Sequence, residues 1–272
     1  MVTAARKTGE RSTPQTSKAQ LTLRDLVLEG KLKPGERVSE LQMVERLGVS
    51  RTPVRTALVR LAEEGLLEAI PSGGFAVKAF SEREVFEAIE IRGTLEGLAA
   101  RLAAERGAGA QDIRPIVDCL DAIDEVMQGH EQTVDEVSRY VELNAQFHAG
   151  IVNLAGSQAL ARQLERVSAL PFASPSALVQ VQSASPEAHD ILTVAQDQHR
   201  CVVNAIERRE SGRAEAIMRE HARLAHRNLE RAFSNQRILE LVPGSVLIKR
   251  RTVADVTEYK RPERPSEART PT

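Results

Sequence analysis

The spacing of apolar residues predicts two short helices, separated by a glycine, in the first quarter of the chain. Ser39 and Gln42 form a capping box that opens the first helix, and Gly48 offers a left-handed stop after it. The second helix begins at Ser50, which can cap it, and its inward face consists of Val54, Ala57, Leu58 and Leu61. Two short helices joined so tightly are typical of a helix-turn-helix, in which the second helix lies in the major groove of DNA.

The residues on either side complete a small domain over positions 19–79. An apolar pattern ended by Gly30 predicts one preceding helix, and Arg37-Val38 predict a stub of strand. Residues 66–70 and 75–77 predict two short strands that form a wing, joined by the turn Pro71-Ser72-Gly73-Gly74. Residues 1–18, rich in Thr, Ser, Lys and Arg, are expected to form a disordered tail.

From Ser81 onward the apolar period is helical and predicts six or seven amphipathic helices, packed as a bundle over residues 82–234. The predicted fold class is therefore mostly α, with an N-terminal winged helix-turn-helix and a C-terminal all-α effector bundle. The first two helices of the bundle are expected to face its core with Val85, Ile89, Leu95, Leu98, Leu102, Ile113, Ile116, Leu120 and Ile123. A stretch at 171–188 is expected to form a loop or short helix, and residues 235–272 a partly disordered extension.

Composition excludes several classes of protein. Cys119 and Cys201 have no CxxC spacing, which argues against a disulfide framework or a Cys-ligated zinc finger. No apolar run approaches the roughly 18 residues of a membrane span, and the first residues lack the features of a signal peptide. We therefore expect a cytoplasmic protein without a membrane partner. Because the net charge is only −1, any surface that binds DNA must be local.

The second helix of the helix-turn-helix carries the residues that could contact DNA. Arg51 and Arg55 are four positions apart and so share one face near its N-terminus. Arginine there can pair in bidentate fashion with guanine, and Ser50, Thr52 and the first backbone amides of the helix can hold phosphate. The alternative is that both arginines are merely solvated charges. The capped helix before them and the wing after them favour contact with DNA.

A resemblance to the GntR family of bacterial repressors rests on three motifs: Pro34-Gly35-Glu36-Arg37, then Leu47-Gly48-Val49-Ser50-Arg51-Thr52-Pro53-Val54-Arg55-Thr56-Ala57-Leu58, then Leu61 to Gly65. The resemblance implies that Arg51 and Arg55 contact bases or phosphates and that Thr52 and Pro53 approach the DNA backbone. It also implies that the wing tip, Ser72-Gly73-Gly74, enters the minor groove. The chain departs from the family in two places: Thr56 stands where Glu is commoner, and the wing tip has no Lys or Arg, so backbone atoms alone would make its contact.

Three histidines and one asparagine form a second cluster of candidate chemistry. Asn144 and His148 lie four apart on one helix face, and the patterns around His199 and His221 turn both toward the bundle interior. Three imidazoles and an amide oxygen predict a site for a divalent first-row metal, with zinc as the default and nickel or manganese as alternatives. Each histidine taken alone is better explained as a hydrogen-bonded core or surface residue, and a bound metal could also be purely structural.

The bundle resembles the FCD effector domain, the all-helical C-terminal half of one large branch of the GntR family. This resemblance rests on residues 90–100, on Phe147-His148 and on Met218-Arg219-Glu220-His221. It implies a ligand set of one Asp and three His, which falls here on Asn144, His148, His199 and His221. Asn in place of Asp removes a charge, and an amide oxygen is a poorer metal ligand than a carboxylate.

A metal with open positions binds carboxylates, and Arg92 could pair with the same group, which predicts a small carboxylic acid as effector. The alternative for Arg92 is a salt bridge to Glu96, four residues on. Residues 89–97, 139–148 and 171–173 most resemble the VanR-type members, which implies vanillate or a related aromatic acid. A sugar acid or a hydroxy acid would satisfy the same logic.

The resulting hypothesis is a homodimeric repressor that binds a palindromic operator in double-stranded DNA and is released by its effector. The alternative is a metal-dependent hydrolase or lyase with an accessory helix-turn-helix. Such an enzyme needs a general base beside the metal, and no Glu adjoins a candidate ligand in an HExxH-like arrangement. Glu220 precedes His221, but neighbouring residues on a helix face away from one another.

Overall fold

The computed structural model describes residues 14–128, 133–179 and 188–249. Its α-helices are α1 Pro14–Leu28, α2 Glu40–Leu47, α3 Arg51–Glu63, α4 Glu82–Arg106, α5 Ala110–Val126, α6 Val134–Ala155, α7 Gln158–Ser168, α8 Ala188–Glu207, α9 Ser211–Ser234 and α10 Gln236–Leu239. Its strands are β1 Arg37–Val38, β2 Leu67–Ala69, β3 Phe75–Val77, β4 Phe80–Ser81 and β5 Ile248–Lys249. The mostly α fold, with a winged helix-turn-helix followed by a helical bundle, is therefore confirmed. Within these ranges, no helix is long and apolar enough to cross a membrane.

The winged helix-turn-helix forms as the local signals predict. Ser39 and Gln42 make the capping box of α2, and Gly48 ends that helix in the left-handed conformation, with φ +65°. Ser50 occupies the N-cap position of α3 in an extended conformation, as predicted, but its hydroxyl makes no capping hydrogen bond to the described backbone. The wing is an antiparallel sheet in the order β1-β3-β2, with Ala69 opposite Phe75.

Helix α1 begins earlier than the sequence predicts. Proline is suited to the first turn of a helix, and Pro14 starts α1. Thr16 and Ala19 are then buried one turn later, which favours the helix over the expected tail. Residues 14–18 are thus helical rather than disordered, and residues 1–13 lie outside the described part of the chain.

The buried face of α4 differs from the predicted row of leucines. Leu95, Leu98 and Leu102 are only half-buried, whereas the adjacent face of small and polar residues is buried: Arg92, Gly93, Glu96, Gly97, Ala100, Ala103 and Ala104. The reason is the close approach of α9, because a Cβ at Gly93 would stand 2.4 Å from the Cβ of Ala222. Packing of α4 against α9 therefore places Arg92 and Glu96 inside the bundle.

The segment after α9, residues 236–249, packs between the bundle and the winged domain. We call it the C-terminal strap. It consists of α10, a 3-10 turn at Ser245–Leu247 and β5, which pairs in parallel with β4. Its apolar side chains are buried in one cluster with residues of α1, the wing and β4, namely Leu239, Val242, Leu247 and Ile248. This part of the predicted extension is folded, and residues 250–272 lie outside the described chain, including the stretch 260–272 expected to be disordered.

The stretch predicted as a loop or short helix, 171–188, is described in part. Residues 171–178 form a series of turns, and residues 180–187 lie outside the described chain. Phe172, Ala173, Ala177 and Leu178 are buried in the same cluster as the C-terminal strap. We refer to residues 171–178 as the connecting segment, because it contacts both the winged domain and the bundle.

Candidate functional site

The face of α3 that could contact DNA carries two exposed arginines held by one acid. The side chains of Arg51 and Arg55 are 80% and 72% exposed. Glu40, the first residue of α2, places Oε2 2.7 Å from Nε of Arg51 and Oε1 3.6 Å from Nε of Arg55. Both pairs use Nε, so the terminal nitrogens of each guanidinium remain available to a base edge. Glu40 was not identified from the sequence, because nothing in the spacing of α2 and α3 shows that it reaches both arginines.

The other residues assigned to DNA are divided between the surface and the core. Ser50 and Thr52 are exposed at the start of α3, where unpaired backbone amides can hold phosphate. Pro53, which the resemblance assigns to the DNA backbone, is buried inside the winged domain. The first turn of α3 therefore offers hydroxyls and amides, but not the proline ring, to a ligand.

The wing tip contains no Lys or Arg of its own, but the side chain of Arg37 lies beside it. The guanidinium Nη2 of Arg37, on β1, donates to the carbonyl oxygen of Gly73 at 2.8 Å and lies 3.4 Å from that of Ser72. Gly73 and Gly74 both have φ +90°, a conformation that favours glycine and holds the tip tight. The departure noted in the sequence, a wing tip without Lys or Arg, is thus offset by Arg37 from a neighbouring strand.

The three predicted histidines meet inside the bundle. His148 on α6, His199 on α8 and His221 on α9 each offer one ring nitrogen, and these atoms lie within 4.8 Å of one another. The Nε2 atoms of His199 and His221 are 3.1 Å apart. Two nitrogens bound to one tetrahedral zinc at about 2.0–2.1 Å would be separated by about 3.4 Å, so this spacing suits a shared cation.

The hydrogen-bond partners of two rings indicate where their protons lie. Nδ1 of His199 faces Oε1 of Gln196 at 3.1 Å, and Nδ1 of His221 faces Oε1 of Gln198 at 3.2 Å. An amide oxygen only accepts, so with both amides in these orientations each Nδ1 carries the hydrogen and each Nε2 presents a lone pair. Two lone pairs directed at each other repel, and a cation between them removes the repulsion.

Burial keeps these rings neutral. It lowers the pKa of His199 well below its usual value, and the charges of His221 and His148 lower it further. Burial also lowers the pKa of His221 to about 3, with His148 acting in the same direction. Neutral imidazole is the form that binds metals, so His199 and His221 are preorganised as metal ligands at neutral pH.

Glu96 is the acidic residue closest to the cluster. Its Oε1 lies 2.9 Å from Nδ1 of His148, and its Oε2 lies 3.7 Å from Nε of Arg92. Burial would raise the pKa of Glu96, but the charges of His148 and Arg92 outweigh that effect and lower it to about 2. The carboxylate is therefore ionised and lies at ion-pair distance from His148, whose Nδ1 makes no well-aligned hydrogen bond among the described residues.

The sequence identified Glu96 only as an alternative partner for Arg92, and the structure gives it both contacts. The ion pair with Arg92 is present but long, and neither Nε of Arg92 nor Oε2 of Glu96 has a hydrogen bond among the described residues. Both side chains are almost fully buried. Arg92 therefore keeps hydrogen-bonding capacity inside the bundle.

Asn144, the candidate fourth ligand, is buried one turn before His148. Its Nδ2 donates to Oγ of Ser176 at 3.0 Å, and that hydroxyl donates in turn to the carbonyl of Val141 at 3.0 Å. Because the hydroxyl of Ser176 donates its one hydrogen to the carbonyl oxygen of Val141, it can only accept a hydrogen bond from Asn144. The amide nitrogen thus points to Ser176 and leaves Oδ1 as the atom that could face a metal.

Comparison with protein-family models gives two matches. The FCD domain matches residues 87–224, and the bacterial regulatory proteins of the gntR family match residues 15–77. The two regions correspond to the bundle and to the winged helix-turn-helix. The sequence resemblances to both families are therefore confirmed at family level.

Curated relatives and solved structures agree with this assignment. A probable D-xylose utilization operon transcriptional repressor of Paenarthrobacter nicotinovorans is 32% identical over 79% of this chain and 89% of that protein. The Glc operon transcriptional activator of Escherichia coli is 28% identical over 75% of this chain and 84% of that protein. The solved structure of E. coli McbR/YncC has the same fold, with a TM-score of 0.58 at 22% identity over 81% of this chain and 99% of that chain.

These relatives are regulators of transcription, both repressors and activators, and the matched families are not enzyme families. The alternative of a metal-dependent enzyme with an accessory DNA-binding domain is thereby set aside. The chain belongs to the GntR family of bacterial regulatory proteins, in the branch with a C-terminal FCD domain, and is a DNA-binding transcriptional regulator.

Proposed function

We propose that the chain is a homodimeric repressor that is released from its operator when a small carboxylic acid binds beside a metal in the bundle. The observation that carries this proposal is the convergence of His148, His199 and His221 inside the bundle, next to the buried guanidinium of Arg92. A metal and an arginine at one buried point suit a carboxylate.

Operator contact is assigned to α3 and the wing. Arg51 and Arg55 pair with bases, while Ser50, Thr52 and the first amides of α3 hold phosphate. The wing tip, Ser72-Gly73-Gly74, approaches the minor groove with the guanidinium of Arg37 beside it. The exposed position of both recognition arginines supports this assignment.

Two winged domains are needed because one offers few phosphate contacts and the chain has a net charge of −1. A homodimer that binds two half-sites of a palindrome provides them. The outer side of α4 supports pairing, because Ile91 is 53% exposed there and Leu95, Leu98 and Leu102 are only half-buried. Apolar side chains left exposed on one helix are typical of an interface. Because DNA is its proposed partner, the protein is assigned to the cytoplasm.

The metal site is assigned to Nε2 of His148, His199 and His221, with Oδ1 of Asn144 as the fourth ligand. Zinc is the first choice for three imidazoles, with nickel and manganese as alternatives. The bound ion would act as a Lewis acid that accepts a carboxylate oxygen. Glu96 holds the ring of His148 and supplies the negative charge that Asn144 lacks relative to an aspartate.

Arg92 is assigned to the effector carboxylate. The long pair between Arg92 and Glu96 leaves guanidinium capacity that an incoming acid can use. The sequence resemblance to VanR-type members favours vanillate or another aromatic acid, and sugar acids and hydroxy acids meet the same requirement.

The connecting segment offers a route from this site to the winged domain. Asn144 bonds Ser176, and four residues earlier Phe172 packs against Phe80 of β4, with ring centroids 4.9 Å apart. Phe80 lies two residues before the start of α4 and pairs with the C-terminal strap. An acid that shifts Asn144 can therefore change the packing at the domain junction. Regulation requires that the acid bind one arrangement of this junction more tightly than the other.

The proposal is tested by metal content. Protein expressed with zinc should hold about one ion per chain, and the His148→Ala/His221→Ala double variant should lose the ion while its far-ultraviolet circular dichroism persists. Undiminished metal in the double variant would overturn the ligand assignment. If metal binds but no carboxylate binds the loaded protein in calorimetry, the metal is structural and the effector assignment fails.

A further inference from the structure

We propose that Gln196 is a positioning residue of the metal centre, which fixes the tautomer of His199 so that Nε2 is presented as a ligand. This inference deepens the proposed function and rests on it for the metal. Its structural part states only which ring nitrogen of His199 carries the hydrogen. It is drawn from the hydrogen bonds that surround Gln196 on α8.

Gln196 is buried, and both hydrogens of its amide nitrogen are used. Nε2 donates to the carbonyl oxygen of Leu120 at 2.9 Å and to Oδ1 of Asp124 at 2.7 Å, both on α5. These two acceptors determine the orientation of the amide, because a flipped group would face them with an oxygen that cannot donate. The oxygen of Gln196 must therefore face His199.

The fixed oxygen determines the proton on the histidine. Oε1 of Gln196 lies 3.1 Å from Nδ1 of His199, and as an acceptor it requires a hydrogen on that nitrogen. A neutral imidazole carries only one hydrogen, so Nε2 is left with a lone pair. His199 is fully buried, so no solvent competes for either nitrogen. The alternative tautomer would leave two lone pairs facing each other at Nδ1 and Oε1.

The anchor extends to the surface. Arg200 donates from Nε to Oδ2 of Asp124 at 3.0 Å and from Nη2 to Oδ1 of Asp121 at 2.7 Å. Asp124 is thus held in place from the side opposite Gln196. Hydrogen bonds thus connect the ion pair of Arg200 and Asp124, through the amide of Gln196, to the buried imidazole of His199.

The other two histidines have simpler partners. His148 faces Glu96 and His221 faces Gln198, so all three rings direct Nδ1 at an oxygen. Gln198 is partly exposed, and within the described chain its amide nitrogen makes no hydrogen bond that would fix its orientation. Of the two glutamines, Gln196 is therefore the one expected to control ligand geometry. Residues in this outer position commonly change metal affinity by about 10–100-fold.

Two substitutions separate acceptor from donor roles. Gln196→Met keeps the size of the side chain and removes all its hydrogen bonds. The Gln196→Glu/Asp124→Asn pair keeps an oxygen toward His199 and restores the contact to residue 124 with donor and acceptor exchanged, but it loses the hydrogen bond to the carbonyl oxygen of Leu120. Gln163→Met, an exposed position on α7, is the control for the substitution itself.

The first measurement is made without metal, by nitrogen-15 NMR of histidine-labelled, metal-free protein. Wild type should show His199 with its hydrogen on Nδ1, and Gln196→Met should lose that preference while the exchanged pair retains it. An unchanged tautomer in folded Gln196→Met overturns the inference, whatever the protein does with zinc. If the tautomer shifts in Gln196→Met but wild-type protein binds no zinc, Gln196 still controls the proton on His199, and both the metal proposal and the role of Gln196 in a metal centre are overturned.

The second measurement is zinc affinity by competition with a chelator. Gln196→Met should bind zinc about 10–100-fold more weakly than wild type, and the exchanged pair should recover part of that loss because it keeps an acceptor for Nδ1 of His199. If Gln196 only supports the packing of α5 against α8, Gln196→Met lowers the melting temperature but leaves the tautomer and zinc affinity at wild-type values. That result overturns the inference.

Discussion

Phe80 and Phe172 meet edge to face, with their ring centroids 4.9 Å apart and their planes at 74°. Phe80 belongs to the strand that leads into the bundle, and Phe172 lies four residues before Ser176, which bonds Asn144 beside the histidine cluster. Through this contact the connecting segment, which bonds Asn144, packs against the strand that joins the winged domain to the bundle. We therefore expect the packing of these two rings to affect how strongly a bound acid lowers operator affinity.

Replacing Phe172 by Leu should weaken this coupling. Leu keeps an apolar side chain in the pocket but loses the edge-to-face contact, so metal binding and operator affinity without effector should change little. Operator release by a bound acid should fall by several-fold, measured by fluorescence anisotropy of labelled operator. Phe86→Leu, which alters another aromatic pair on α4, is the control. Equal release in Phe172→Leu and wild type would contradict the proposed route.

Loss of Arg55 should cost about 1–3 kcal/mol of operator affinity and relax specificity at one base pair, because a bidentate base contact disappears. Glu40→Gln should weaken binding less, since both arginines remain but lose the acid that orders them. Binding to a library of operators with single base changes measures both effects. Arg46→Ala, exposed at the end of α2, is the matched control. A uniform loss over all operators would make Arg55 a phosphate contact instead.

Arg37→Gln tests the wing. Glutamine can still donate to the carbonyl of Gly73, so the tip should keep its shape while it loses a positive charge. If Arg37 neutralises one phosphate, the slope of log affinity against log salt should become less steep by about 0.9. An unchanged slope, with an unchanged melting temperature, would confine Arg37 to a structural role in the wing.

Much of the fold could be predicted because it depends on local signals. Capping at Ser39, the left-handed Gly48 and the turn before Phe75 each define an element from a few adjacent residues. The inward direction of His148 and His199 follows equally from helical spacing, since each replaces an apolar residue on a buried face.

What the sequence could not predict depends on contacts between distant residues. Glu96 reaches His148 and Gln196 reaches Asp124 across the bundle, and polar residues carry no spacing signal for such pairs. The leucines of α4 were expected inside because apolar periodicity cannot distinguish a core from an exposed face. Gly93, which allows α9 to approach, reverses that expectation. The C-terminal strap also lacks a local signal, because its short strand is stabilised by the partner β4.

Acid should destabilise the metal-free protein in a defined range. The pKa of His221 is about 3 in the folded chain against an ordinary 6.5, so the unfolded state binds more protons between these values. Glu96, with a folded pKa of about 2 against 4.5, acts in the same direction at lower pH. The free energy of unfolding should therefore fall as the pH drops from about 6.5 toward 3, as urea titrations would show. His221→Gln should flatten the upper part of this dependence, and an equally steep fall in that variant would contradict the assignment.

The central claim is that an acid bound at a metal centre controls operator binding, and one titration tests it most directly. An operator is selected from random DNA with the zinc-loaded protein, and its affinity is measured against vanillate and a panel of aromatic, sugar and hydroxy acids. The account predicts that at least one acid weakens binding about tenfold or more, and that the effect disappears in chelated protein and in Arg92→Gln. Operator binding that no acid in the panel alters, or that one alters equally without metal and without Arg92, would contradict it.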